Sequence, residues 1–407
     1  MLAATAVLAA GGPLAAATAA PAVAEPGSSA LSVVATGLNN PRHLSFSQGA
    51  LYVAEAGTGG KGPCATGEEG VACVGRTGDI ARISAGGHVT RLMRGLSSVA
   101  GAGGAAAAGP ADVAIVGQTP VVVVQTTNIS ATNGSNPYGP AGNDLGKLVI
   151  GLRGGRGPSI PGVDFAAYEA AHNPDHGAPG DQPAIDSDPY AFIPYRGGFA
   201  VADAAGNDIL WVSPHGQIST LAVIPVNMGR PPQTPPGTLA PTQAVPTSVR
   251  VGPDGALYVS ELSGFAGSAN VLRVVPGHAP TVYVSGFDSI SDIAFDKHGR
   301  LLVLEYQQGG LFAPPAPGAL IRDRRAGTRT TVASTGLSSP TGLAVHDNTV
   351  YISNRGASAA GALQAGRFWP CGADGTGCRG RPKTARTAAG SRAELTSTWP
   401  LTLPAAP

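Results

Sequence analysis

The sequence predicts an all-β protein, a six-bladed β-propeller whose blades are four-stranded antiparallel sheets. Two observations carry this prediction. A hairpin phrase recurs six times along the chain, and most copies are followed by two further strand-like phrases. The composition fits the same class, because 59 glycines and 36 prolines among 407 residues supply the turns that short strands need.

The repeated hairpin is clearest at Val245–Leu262, where apolar alternation runs to a turn at Pro253-Asp254-Gly255 and then runs back. Five of the six copies open on proline, each has an apolar residue three positions later, and each ends on a polar residue. The copies are Pro41–Glu55, Pro110–Gln125, Pro189–Asp203, Pro246–Glu261, Ile290–Glu305 and Pro340–Asn354. One copy therefore forms the inner half of each predicted blade.

The remaining strands follow the hairpins in order. Third strands are predicted at Gly78–Ser84, Gly146–Leu152, Asn207–Ser213, Ala269–Val275 and Gly318–Arg324. Fourth strands are predicted at His88–Leu96, Gln217–Pro225, Thr281–Phe287 and Thr328–Leu337. The N-terminal phrase Leu31–Leu38 matches Thr330–Leu337, a fourth strand, yet it precedes every hairpin. We expect it to close the last blade by pairing near Ala359–Phe368, which removes an open sheet edge.

The predicted propeller spans residues 31–367, with insertions near 153–188 and 226–245. The first insertion contains a short helix that ends at Asn173-Pro174. The second is proline-rich and is expected to be an irregular surface loop. Residues 1–24 resemble a signal peptide without a basic start, and a disordered Ala-rich tail is the alternative. Residues 368–407 are basic and irregular, either a disordered tail or the product of a shifted reading frame.

Charge and cysteine content narrow the function classes. A net charge of +1 gives no electrostatic basis for nucleic-acid binding, and no internal apolar run reaches the ~20 residues that a transmembrane helix needs. Export favours a disulfide between Cys64 and Cys73, which share one Gly-rich loop and have no histidine nearby for a zinc site. A Cys371–Cys378 pair is a weaker alternative for the tail.

Six phrases make the chain similar to a known family. They are NPRHLSFSQGALYVAEAGTGGKGPC (Asn40–Cys64), DFAAYEAAHNPDH (Asp164–His176), DSDPYAF (Asp186–Phe192), VADAAGNDIL (Val201–Leu210), QAVPTSVRVGPDGALYVSEL (Gln243–Leu262) and SPTGLAVHDNTVYISNRG (Ser339–Gly356). With them the chain resembles the ScyD/ScyE family of exported six-bladed propellers, in the wider TolB-like and NHL-like group. The resemblance covers about Leu31 to Arg355, and it implies an exported propeller with no settled activity. The family's name links it to the pigment scytonemin.

Candidate site residues fall into two sets. The polar residues that end the second strands should form a ring near one face of the propeller: Glu55, Gln125, Asp203, Glu261, Glu305 and Asn354. Four carboxylates near an axis favour a hard cation such as Ca²⁺. The alternative is that each side chain accepts backbone N–H groups of its own turn. This alternative is favoured because a polar residue ends the second strand in every copy of the repeat.

The second set breaks the repeat. At the second position after the opening residue the blades carry His43, Asp112 and Asp292, where the other copies have Ala, Ser or Gly. These three residues face the predicted channel and are candidates for acid–base work or metal ligation. The alternative is that they are only solvated polar groups in a wet channel. His172 and His176 are interpreted as surface histidines, because Pro174 lies between them and no HExxH glutamate is present.

The sequence therefore favours a secreted or cell-surface binding or scaffold protein, monomeric, with an unknown small molecule or an extracellular protein or polysaccharide as partner. No cofactor is required by this hypothesis, and Ca²⁺ is possible. The alternative is a metal-dependent hydrolase of lactonase type, or a sugar-dehydrogenase-like enzyme, with its site in the channel. An accessory role in secondary-metabolite biosynthesis is a third hypothesis. An enzyme predicts convergence of His43, Asp112, Asp292 and some strand-ending acids, whereas a binding module predicts an exposed apolar patch on the insertions.

Overall fold

The computed structural model describes residues 30–367, except 68–69, 127–134, 153–154, 161, 178–184, 232–234, 236–237, 311–313 and 325–327. The chain divides into two compact units, Met1–Trp369 and Pro370–Pro407, and every described residue belongs to the first. The predicted signal peptide (1–24), the basic tail (368–407) and the Cys371–Cys378 pair lie outside the described residues.

The regular structure of the described residues is mainly antiparallel strand, with one α-helix among them. The chain begins with β1 (Ser32–Leu38). The first sheet follows with β2 (Pro41–Ser47), β3 (Ala50–Glu55), β4 (Cys64–Gly67), β5 (Gly70–Ile83) and β6 (Val89–Ala100). The second contains β7 (Pro110–Val116), β8 (Thr119–Val124), β9 (Lys147–Leu152) and β10 (Gly155–Ser159). Helix α1 (Phe165–His172) precedes the third sheet, which contains β11 (Pro189–Tyr195), β12 (Gly198–Asp203), β13 (Asp208–Val212) and β14 (Ile218–Val223).

The second half of the chain continues the pattern after a small hairpin, β15 (Asn227–Gly229) with β16 (Ala240–Thr242). The fourth sheet contains β17 (Pro246–Val251), β18 (Leu257–Glu261), β19 (Ala269–Val274) and β20 (Thr281–Phe287). The fifth contains β21 (Ile290–Phe295), β22 (Leu301–Glu305), β23 (Ala319–Arg324) and β24 (Thr328–Ala333). The sixth contains β25 (Gly342–His346), β26 (Thr349–Asn354) and β27 (Gly361–Arg367), with β1 on its outer edge.

The first strands of the sheets contact one another in a closed cycle, in the order β2, β7, β11, β17, β21, β25 and back to β2. Buried apolar clusters lie between neighbouring sheets, for example Ile80 with Val122, Val201 with Leu148, and Leu363 with Val53. Period-two alternation sends side chains to both faces of a sheet, so each sheet packs against two neighbours. Four-stranded antiparallel sheets whose inner strands close a cycle are typical of a β-propeller.

The predicted pairing of the two chain ends is confirmed. Strand β1 pairs antiparallel with β27, with Ser32 opposite Ala365 and Leu38 opposite Gly361. A bond from the Ser32 hydroxyl to the carbonyl of Ala365 adds to this pairing. The sixth sheet is therefore built from both ends of the described chain, which covers an edge that would otherwise be open.

Two expectations for the insertions are wrong in part. Residues 155–159 of the first insertion form β10, which pairs with β9 and completes the second sheet. Their sequence, GRGPS, has no apolar alternation, so the free edge of β9 rather than local propensity defines the strand. The proline-rich insertion is not wholly irregular, because β15 and β16 pair with Asn227 opposite Thr242.

Two other local predictions are confirmed. Helix α1 begins after Asp164, whose side chain accepts the N–H of Ala167, and it ends at Asn173 in the left-handed conformation, with Pro174 next in the chain. The Cys64–Cys73 disulfide is formed. It joins directly opposed residues of β4 and β5, a hairpin that extends the first sheet.

Candidate functional site

The strand-ending residues are buried, and each makes a hydrogen bond close to the end of its strand. Glu55 accepts the N–H of Asn39 at 2.8 Å, and Glu305 accepts the N–H of Asp288 at 2.9 Å. The other members make the same kind of bond or a close variant of it. Asp203 accepts the N–H of Asp188, Asn354 accepts that of Ser338, Glu261 accepts that of Asn270, and the Gln125 amide donates to Asp188. Four of these contacts tie the end of the second strand to the loop that enters the same sheet. Glu261 instead reaches Asn270 on β19, and Gln125 reaches the loop that enters the third sheet.

Burial dominates the electrostatics of this set. It raises the pKa of Glu261 to about 8, against the opposing effect of amide donors from Asn270 and Asn227. Burial likewise raises the pKa of Glu305 to about 7, although it accepts a backbone N–H. The pKa of Glu55 is raised by burial, while Arg91 beside it acts in the opposite direction. These carboxyls are buried and hydrogen-bonded to neighbouring parts of the chain, which is a structural role.

The second set converges at the centre of the strand cycle. His43, Asp112 and Asp292 lie on β2, β7 and β21, and all three are at least 97% buried. The Nε2 atom of His43 lies 3.8 Å from Oδ2 of Asp292. Burial raises the pKa of Asp112, and the charges of His43 and Arg250 oppose that effect. The sequence therefore identified three residues that the fold brings together.

The two aspartates of this cluster connect neighbouring inner strands. Asp292 accepts the N–H of Leu343 on β25 at 2.7 Å, and Asp112 accepts the N–H of Phe192 on β11 at 3.1 Å. Asp292 also accepts the Ser248 hydroxyl at 2.6 Å and the Arg250 guanidinium at 2.9 and 3.1 Å, both from β17. The cluster is thus a buried network across several sheets, and the solvated-channel alternative is wrong for these residues.

Arg250 is the site residue that sequence reasoning missed. It occupies the fourth position after the opening residue, where the other copies have small or apolar residues: Ser45, Ala114, Ile193, Ala294 and Ala344. His43 was a candidate because it departs from the repeat at its position. Arg250 departs from the repeat in the same way at the fourth position, so the same criterion identifies it there. Tyr190 is a second omission, since its ring meets that of His43 edge-on at a centroid distance of 5.1 Å.

A cavity of about 340 Å³ lies against this network and is lined by all six inner strands. One lining residue from each strand is Ser45, Asp112, Pro194, Arg250, Phe295 and Val345. Most of the other lining side chains are apolar, so Asp112 and Arg250 are its charged groups. Its size is in the range of small-molecule pockets, and its composition is typical of them.

The insertions carry an exposed apolar face, the feature expected of a binding module. Met228 lies opposite Pro241 in the β15–β16 hairpin, so both side chains project from the same side. The same period places Val226 and Leu239 on that side. Val226, Met228 and Leu239 are 43%, 49% and 50% exposed.

The two histidines of the first insertion lie at the surface. His172 is exposed, stacks on Tyr168 and bonds its carbonyl at 3.0 Å, and His176 is also exposed, as predicted for surface histidines. In the part of the chain that the structure describes, no three His, Cys, Asp or Glu side chains form a group that could hold a metal ion. No helix within these residues is long and apolar enough to cross a membrane.

The fold class is that of the β-propeller proteins. No protein-family model matches the sequence, and no curated protein matches it. The chain is similar to a protein of unknown function from Bacteroides thetaiotaomicron, with a TM-score of 0.50 and 8% identity over 83% of this chain and 75% of that one. It is also similar to the PQQ-bound aldose sugar dehydrogenase of Streptomyces coelicolor, with a TM-score of 0.46 and 14% identity over 85% and 99%. A third similar structure is virginiamycin B lyase from Staphylococcus aureus, with a TM-score of 0.42 and 11% identity over 83% of this chain and 99% of that one. At these identities the likeness concerns the fold alone.

Proposed function

We propose that this chain is an exported six-bladed propeller of the ScyD/ScyE type that binds a small, largely apolar molecule in its central cavity. Among the described residues, six sheets of four or five strands, six apolar interfaces between them and one closed cycle of inner strands support six blades. The Cys64–Cys73 disulfide supports export, because disulfides persist in oxidising compartments. Binding needs no cofactor in this proposal.

The cavity is the observation that carries binding over catalysis. Its walls are mostly apolar, and Asp112 and Arg250 are the charged residues that line it. The groups that acid–base chemistry would use, His43 and Asp292, are 0% exposed. A bound molecule would therefore contact the apolar walls and the two charged groups, with hydrophobic burial as the main source of affinity. The exposed apolar face of the β15–β16 hairpin favours the same functional class.

The test is to fill the cavity. Ala294 lines it and is almost fully buried, so Ala294→Trp places an indole in the space that a ligand would occupy. We expect the parent protein to enhance the fluorescence of anilinonaphthalene sulfonate saturably and the variant to lose at least tenfold in affinity. The matched control is Val282→Trp on β20, where the side chain is 59% exposed and should leave binding unchanged. Equal binding by all three proteins would contradict a ligand site in the cavity.

A second candidate is a hydrolase or sugar oxidoreductase that uses the buried cluster. The observation that favours it is the convergence of His43, Asp112 and Asp292. In addition, Nε2 of His43 has no hydrogen-bond partner among the residues that the structure describes. The strand-ending acids, which this hypothesis also places at the site, are engaged by their own loops. The test is turnover of lactones and aldoses by the parent and by His43→Gln, with metal analysis of the purified protein. Activity that vanishes in His43→Gln would replace the binding proposal.

A further inference from the structure

The central cavity lies at one end of the inner strands. Its lining residues occupy the second to fifth positions after the opening residues of the hairpins, from Asp112 at the second to Phe295 at the fifth. The strand-ending residues pair with the opening residues, as Glu261 does with Pro246, so they lie at the other end of the strands. Val251 lines the cavity at the fifth position and is 46% exposed. The cavity therefore opens on the face that carries the hairpin turns, and we call this opening its mouth.

The cavity wall changes from apolar to charged with depth. Four apolar residues at the fifth position form the part nearest the mouth: Pro194, Val251, Phe295 and Val345. Asp112, at the second position, is the deepest of the lining residues. Arg250 starts at the fourth position, but its guanidinium reaches the second position of the next inner strand, where Nη2 lies 2.9 Å from Oδ1 of Asp292. The charged groups are therefore at the closed end of the cavity.

Both charged lining residues keep hydrogen-bonding capacity. Oδ1 of Asp112 accepts the N–H of the next residue at 2.7 Å, and Oδ2 accepts that of Phe192 at 3.1 Å. A carboxylate oxygen has about two lone-pair sites, so each can accept a further bond. Arg250 donates to the carbonyl of Val249 and to both oxygens of Asp292, which leaves other N–H groups of its guanidinium available. The closed end can therefore both accept from a ligand and donate to it.

The signs of these charges disfavour a charged ligand. An anion would be attracted by Arg250 but repelled by Asp112 and Asp292, and a cation would be attracted by the acids but repelled by Arg250. Arg250 and His43 already act on Asp112, because their charges oppose the rise in its pKa that burial causes. Either ion would also lose its hydration on entering a mostly apolar cavity. A neutral group that both donates and accepts avoids these costs.

Ser45 is the remaining polar residue of the lining, and it favours the same kind of ligand group. It lies at the fourth position of β2, the position that Arg250 occupies on β17. Its hydroxyl is buried and has no hydrogen-bond partner among the described residues. A hydroxyl rotates to suit its partner and can donate or accept, so a ligand hydroxyl nearby could supply the bond that is absent.

We propose that the central cavity selects uncharged alcohols, which place their hydroxyl at Asp112 and Arg250 and their apolar body towards the mouth. This inference rests on the small-molecule binding proposed above and adds the chemical class and the orientation of the ligand. The ligand hydroxyl donates to Asp112 and accepts from Arg250, so one neutral group satisfies both charges. The apolar body then covers residues such as Phe295 and Val345, and its burial supplies most of the affinity.

The experiment compares three ligands that share one two-ring body and differ in their polar group. They are 2-naphthalenemethanol, 2-naphthoate and 2-naphthylmethylammonium, measured at pH 7 by equilibrium dialysis with naphthalene fluorescence as the readout. We expect the parent protein to bind the alcohol at least tenfold more tightly than either ion. Ala294→Trp, which fills the cavity, should weaken all three and so assigns the binding to this site.

Two variants test the roles of the polar lining residues. Asp112→Asn removes the negative charge and keeps the shape, so the affinity for the carboxylate should rise at least tenfold relative to that for the alcohol. The matched control is Asp254→Asn in an exposed hairpin turn, which should leave that ratio unchanged. Ser45→Ala should weaken the alcohol at least threefold and leave 2-methylnaphthalene, which has no polar group, unchanged. If Asp112→Asn fails to fold, the parent ratios and Ser45→Ala decide the question.

The outcomes separate this inference from the function on which it rests. If the parent binds none of these ligands, or if Ala294→Trp binds them as the parent does, the binding function itself is wrong. If Ala294→Trp abolishes binding but the parent binds an ion as tightly as the alcohol, the cavity is a binding site and the alcohol class is wrong. An unchanged ratio in folded Asp112→Asn would likewise overturn the role given to Asp112.

Discussion

The network around Asp292 should hold the inner strands together. The loss in the free energy of unfolding caused by Asp292→Ala measures this contribution. The carboxylate is 0% exposed and accepts bonds from Ser248, Arg250, Leu343 and the N–H of Ile293. Alanine removes the carboxylate that is hydrogen-bonded to the guanidinium of Arg250, whose side chain is only 18% exposed. Breaking a buried pair by removing one partner costs about 3–5 kcal/mol.

The assay is equilibrium urea unfolding followed by circular dichroism, with Asp292→Asn in parallel. Asparagine keeps the shape and one acceptor oxygen, so its loss should be smaller, about 1–3 kcal/mol. The surface control is Asp254→Ala, which removes an ion pair to Arg273 whose side chains are 39% and 38% exposed. An Asp292→Ala variant that loses no more stability than Asp254→Ala would refute the idea that this network joins the inner strands.

Three further predictions concern separate parts of the fold. Burial raises the pKa of Glu261 from 4.5 to about 8. The contribution of Glu261 to the free energy of unfolding is therefore complete below pH 4.5 and is lost as the pH rises towards 8. In urea unfolding, Glu261→Gln should show a smaller fall of the midpoint between pH 5 and 8 than the parent does. Replacing Cys64 and Cys73 by serine should cost about 2–3 kcal/mol in the same assay, and reduction of the parent should reproduce it. Gly342→Ala should cost about 1–3 kcal/mol, because its Cβ would lie 2.5 Å from the carbonyl oxygen of Arg42, and an unchanged midpoint would contradict this contact.

Local patterns predicted most of the strands. The six inner hairpins could be predicted because their signals, which are apolar alternation, proline and glycine turns, all lie within about fifteen residues. The pairing of β1 with β27 was readable for another reason: Leu31–Leu38 repeats the sequence of a fourth strand. Strand β10 was not predicted, because its residues show no strand preference and only a neighbouring edge defines it.

The candidate site was predicted less completely, because its chemistry depends on partners from distant sheets. The sequence singled out His43, Asp112 and Asp292, and the fold brings them together. It did not indicate that each aspartate accepts an N–H of the next inner strand, since that contact requires the register of two sheets. Arg250 was missed because departures from the repeat were sought at one strand position only.

The repeat also explains why equivalent residues can differ in role. Glu55 and Asp203 end equivalent strands and each faces an aspartate, yet within the described part of the chain only the first pair has an arginine beside it. A repeat supplies the same backbone six times, so the backbone cannot account for the difference. The fourth strand decides it, through Arg91 in one sheet and Thr220 in another. Comparison of equivalent positions within one chain therefore locates a difference in charge that neither the repeat nor the local sequence reveals.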